Sequence, residues 1–117
     1  MKNKMRSFQE IMRVELQDLK DDIEDLLDNN KQKFQERKIS QHVYMENEAL
    51  YKNELIGIEE FSELLLSKKP SEFKDLSEFI QILKEEFHIL LKREEIALAV
   101  KVCIDRKLMK VSEYVRR

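Results

Sequence analysis

Turn-forming residues are almost missing from this chain. Its 117 residues include one glycine, Gly57, and one proline, Pro70, so tight hairpins and glycine-rich phosphate loops have nothing to build on. The same shortage argues against an extensive sheet and leaves long helices with short connections. A single cysteine, Cys103, excludes an intrachain disulfide and suits a reducing compartment, so a cytoplasmic location is expected. Long hydrophobic runs are also lacking. The longest nearly apolar stretch, IALAVKVCI, has nine residues and contains Lys101, too short for a membrane span or a signal-peptide core. Nor does either charge sign dominate. With 22 basic and 24 acidic residues, net −2, nothing global draws the chain to nucleic acid.

What the chain does have is charge and apolar residues in balance, 39% and 42%, which suits a folded, well-solvated helical protein rather than a disordered one. The length is that of one domain with one core. Charge is distributed in blocks. Residues 1–13 sum to +3, residues 14–28 to −6 and residues 101–117 to +4, a pattern that suits antiparallel helix packing, head-to-tail assembly or plain solvated faces.

Hydrophobic spacing divides the chain into four helices. Met12, Leu16, Leu19, Ile23 and Leu26 keep one stripe with a heptad rhythm, which predicts helix A over about 5–37. Asn30 falls at the next seam position. There it either sets register between paired helices, or joins Asp28 and Asn29 in ending the helix; Phe34, four residues on, favours continuation. Tyr44, Tyr51, Leu55, Ile58 and Leu65 share a face and predict helix B over about 41–67, with Gly57 inside it as a site of close approach by a neighbouring helix. Lys68-Lys69-Pro70 ends that helix, because proline removes an N–H and disfavours helical geometry in the residue before it. Phe73, Leu76, Ile80, Leu83, Phe87 and Leu90 then predict helix C over about 72–93, capped by Ser71 or Ser77. IALAVKVCI, with acids before it and Arg106-Lys107 after it, reads as helix D over about 94–107, a β-strand being the lesser reading. Ser112 would cap a short C-terminal turn over 112–117. Residues 37–46 and 106–117 resemble each other as two basic-apolar-serine corners.

The whole is therefore read as all-α, within 1–117: a long helical hairpin plus two further helices in a four-helix-bundle-like domain, completed by dimerisation. A helix of some 30 residues extends about 45 Å, and so short a chain leaves part of such a rod's apolar face for a partner.

Candidate chemistry is sparse. Glu85 and His88 form an E-x-x-H pair, the spacing that offers two ligands to one metal from a helix face, but no second such pair follows, since Ile39 precedes His42 by three residues. Half of a di-iron ligand set is missing unless a second copy supplies it. Cys103 lies in an apolar run, where a thiol packs as a small hydrophobe rather than reacting. Asp21, Asp22 and Asp25 belong to an acidic run with no EF-hand pattern, read as a solvated face or a docking surface for a basic partner. The basic tail is too short to place a recognition helix in a DNA groove. No catalytic residue, cofactor or metal is assigned and membrane binding is not expected, because the apolar-striped helices carry mainly acidic polar faces.

These readings converge on a non-enzymatic protein-interaction module, of the adaptor, chaperone or regulator kind, that self-associates and binds an unidentified protein partner. Tyr44, Tyr51, Leu55 and Ile58, with Asp21, Asp22 and Asp25, are its candidate contact residues. The alternatives are a metal-binding bundle using Glu85 and His88, or a nucleic-acid-associated regulator using the basic C-terminal segment.

Overall fold

A computed structural model describes residues 2–117, with side chains from Lys4 onward. It is all-α, with no strand among the described residues: α1 (Lys2–Gln35), α2 (Gln41–Ser67), a 3-10 turn at Pro70–Glu72, α3 (Leu76–Arg93) and α4 (Leu98–Arg116). α1 and α2 form an antiparallel hairpin, and α3 and α4 pack on it in a bundle measuring 54 × 28 × 19 Å.

The stripe on α1 buries Met5, Phe8, Met12, Leu16 and Ile23, and the helix runs unbroken through Asp28–Asn30. Asn30 is only 4% exposed. Its amide donates to the Tyr44 carbonyl at 3.1 Å and its Oδ1 accepts from the Asn47 amide at 3.1 Å. A side chain bonded across the hairpin no longer competes with its own backbone, and it fixes the register of α1 against α2.

The corner after α1 closes with a double turn: the Lys38 N–H donates to the Lys33 carbonyl and the Arg37 N–H to the Phe34 carbonyl. Arg37 stands in the left-handed region at φ 60°, the place where helices usually put glycine. Ser40 then caps α2, its Oγ accepting from the Val43 N–H at 3.2 Å. At the far end of α2 the last carbonyls have no basic side chain in their own turn. Gln9 of α1 satisfies two of them, donating to Leu65 at 2.9 Å and Lys68 at 2.8 Å, which ties the start of the chain to the end of the hairpin.

Two boundaries differ from those the sequence suggests. α3 begins at Leu76 rather than near 72, because Pro70 nucleates only a 3-10 turn and Asp75, not Ser71 or Ser77, is the cap, accepting from the Glu78 N–H at 2.8 Å. Helix D is not 94–107 followed by a turn at 112–117. Residues 94–97 form the corner, with Glu95 left-handed at φ 53°, and α4 runs from Leu98 to Arg116. Nothing in 108–116 breaks a helix, and Leu108 and Val111 continue the inward face of Val100 and Ile104. Ser112 is accordingly a buried mid-helix residue, the resemblance between 37–46 and 106–117 is not one between two corners, and the strand reading of IALAVKVCI falls.

The core joins all four helices. Phe8 meets Phe79 edge-on at 5.9 Å, Phe61 meets Phe87 edge-on at 4.9 Å, and Phe73 stacks on Phe79 at 4.7 Å, geometries that aromatic quadrupoles favour. Gly57 is where α4 crosses α2. A Cβ there would lie 2.7 Å from Ile96 Cγ2 and 2.9 Å from Val100 Cγ1, and both are β-branched side chains with stiff χ1 that give way poorly. The only glycine thus serves helix approach, while both left-handed corners use other residues.

Length decides what remains uncovered. α3 and α4, of 18 and 19 residues, reach about 27–29 Å, whereas α1, of 34 residues, reaches about 51 Å. Their connecting corner sits beside Asn53, so the tip of the hairpin projects past them as a two-helix arm.

Candidate functional site

The arm comprises the last three turns of α1 and the first three of α2. Phe34 and Tyr44 stack across it at 4.5 Å with their planes 9° apart, next to the Asn30–Asn47 pair. Ring stacking plus a part-buried amide pair keeps two helices together where no third helix supports them. The Glu48 carboxylate beside the Tyr44 hydroxyl raises the phenol above its usual pKa.

α4 sits on Gly57, and Leu50 and Val43 precede that glycine by seven and fourteen residues. A spacing of seven returns to nearly the same helix face. On α1, Leu26 follows Leu19 by seven, and both line the groove beside Ala99 and Cys103 of α4. The seat that α4 occupies therefore continues along the arm beyond its first residue. There it is apolar and open: Leu26 is 42% exposed, Val43 39% and Leu50 46%. Glu54 lies where the covered and open parts of the seat meet, among Leu19, Ile23 and Ile58. It has no ion-pair partner among the described residues, and burial alone raises its carboxyl above the ordinary range. At the mouth of the α3–α4 corner, Asn53 takes the place of an α4 cap. Ala97 has no capping side chain, and Asn53 accepts from its N–H at 2.9 Å while donating to the Glu95 carbonyl at 3.3 Å.

The residues singled out by sequence are scattered over the fold. Tyr44, Tyr51 and Leu55 are half-buried; Tyr51 and Leu55 pack against the core, and Ile58 is within it at 2% exposure. Ile58 is thus a core residue and not a contact residue, and Tyr44 turns toward α1 of its own hairpin, where it stacks on Phe34. Asp21, Asp22 and Asp25 are exposed on α1, with Gln17 donating to Asp21 at 3.0 Å. Glu85 and His88 are both exposed on α3, Glu85 accepting from Gln81 at 3.0 Å, and no group of three or more His, Cys, Asp or Glu suited to a metal occurs among the described residues. Cys103 lines the α1–α4 groove with no histidine beside it. His42 is exposed and its Nε2 lies 3.0 Å from Glu46.

Leu26, Val43 and Leu50 are the residues that sequence reasoning missed as a surface. Their signal was present as the continuation of a seven-residue spacing past Gly57, but it could be read as open only once the start of α4 was located. Among the described residues no helix is long and apolar enough to cross a membrane. No protein-family model matches the chain, and neither a curated protein nor a solved structure is significantly similar to it.

Proposed function

We propose that this protein is a non-enzymatic helical interaction module of the cytoplasm, self-associating, whose projecting arm docks a helix of a protein partner. The observation that carries the docking reading is the open continuation of the α4 seat along Leu26, Leu50 and Val43, half-exposed where α4 stops short. A helix laid there would meet the same spacing of apolar knobs that α4 meets further down, the helix-in-groove mode of recognition. Glu54 at the junction offers an unpaired carboxylate to a basic side chain of the incoming helix. The arm is preorganised by its stack and amide pair, so little ordering is needed on binding.

A photo-crosslinking residue at position 46, exposed and flanking the track three residues after Val43 and four before Leu50, tests this in native lysate. The wild-type chain should trap a discrete protein partner, and Val43→Glu with Leu50→Glu should lose it while retaining the helical circular dichroism of the parent. Capture unchanged by the two substitutions, or no discrete adduct, would remove the reason for the proposal.

A further inference from the structure

The self-association in that reading can be given a face. The fold brings the basic C-terminal block, residues 101–117 at +4, beside the start of α1. α4 runs antiparallel to α1, anchored by Lys107 on Glu15 at 3.2 Å, so that Tyr114 and Arg117 lie beside Lys4 and Ile11. Lys4 and Arg117 at this end of the α1–α4 face, with Lys110 one helical repeat before Arg117, are exposed and make it basic against one exposed acid on that side of α4, Glu113. Toward the other end the same face carries three carboxylates of the acidic run 14–28. By helical spacing, Asp18, Asp22 and Asp25 point along one side of α1, and Arg106, Lys110 and Arg117 along the adjoining side of α4. All six are exposed, and none is in an ion pair among the described residues. Beside Asp22 the α4 side of this face is uncharged, with Ala99, half-buried Cys103 and Val102 at 45% exposure.

We infer that this face binds a second copy of the chain, antiparallel, with a two-fold axis near Cys103. A two-fold interface uses one patch against itself. A patch acidic at one end and basic at the other is self-complementary only when the copies run in opposite directions, because each acidic half then meets the partner's basic half. A parallel pair would set acid against acid. The face is roughly 30 Å long and two helices wide, on the order of 600 Å² per copy, at the small end of stable interfaces. Such a dimer is reversible and weakened by salt.

Sedimentation velocity of the full chain across micromolar concentrations, at low and high salt, tests this. The expected result is a dimer at low salt whose dissociation constant rises at least about ten-fold in 1 M salt. Asp22→Lys with Asp25→Lys, and separately Arg106→Glu with Lys110→Glu, each weaken it about ten-fold or more, and an equimolar mixture of the two variants regains the original affinity. A monomer at every concentration in low salt, a dimer that tightens with salt, or one indifferent to both reversals overturns the inference. So does a monomer that binds heparin or RNA through Arg106 and Lys110, which would give the basic end to a polyanion. Val43→Glu with Leu50→Glu separates this inference from the docking track. That variant should dimerise normally; a dimer lost there and kept in the charge reversals would move self-association to the arm, sinking the inference and not the track.

Discussion

Arg37 and Glu95 hold left-handed backbone angles, φ 60° and 53°, where a Cβ crowds the following carbonyl. Both close helix ends, and both side chains are exposed, so glycine can replace either without disturbing packing. Arg37→Gly and Glu95→Gly should each raise the free energy of unfolding by about 0.5–1 kcal/mol, measured by denaturant titration. Glu54 yields a prediction with a pH signature. Burial raises its carboxyl pKa in the fold, so the folded chain holds the proton more tightly than the unfolded one. The stabilisation from that proton is complete below the unfolded pKa and is lost as pH rises through the folded value. Glu54→Gln, which never ionises, should therefore be more stable than the parent at pH 7. The gain stays within about 0.5 kcal/mol, since part of the side chain reaches water, and it should vanish below about pH 4. A gain that persisted unchanged at pH 3 would point to packing rather than charge.

At the scale of the element, what could be read in the sequence was what local patterns encode. The rhythm of Met12 to Leu26 and of Leu76 to Leu90, the stop at Lys68-Lys69-Pro70 and the Ser40 cap are all contained in a few adjacent residues, and physics acts on them locally. α4 is set by residues far from it in sequence. Its start depends on Asn53, distant in sequence, which supplies the cap that Ala97 lacks; its end was misread because Ser112 looks like a cap unless one knows that Leu108 and Val111 face a core built by α1. Asn53→Ala should cost about 1 kcal/mol of stability, and hydrogen exchange should speed at the Ala97 amide while the amides of the α1 core stay protected. Unchanged exchange at Ala97 would contradict the capping role. Asn30 lies between the two cases. Its seam position was visible in the spacing, but only the opposing Asn47 and Tyr44 decide that it pins register instead of ending the helix.

For the whole molecule, the all-α bundle follows from composition and periodicity, whereas the candidate surface follows from a mismatch of lengths that composition does not carry. Ile58 reads as a contact residue in the sequence and is core in the fold, because α2 is apolar around much of its circumference and only the positions of α3 and α4 decide which side is covered. Leu26, Val43 and Leu50 are open for the same reason: α4 begins at Leu98 and leaves three turns of hairpin unroofed. If those side chains serve a partner and not the fold, replacing them should separate binding from stability. The most direct measurement is partner capture by Val43→Glu with Leu50→Glu, compared with the parent at matched folded fraction. The account predicts capture reduced at least about ten-fold, with each substitution changing stability by no more than about 0.5 kcal/mol. Undiminished capture would contradict it, as would unfolding on the scale of a core substitution, about 2 kcal/mol or more per site.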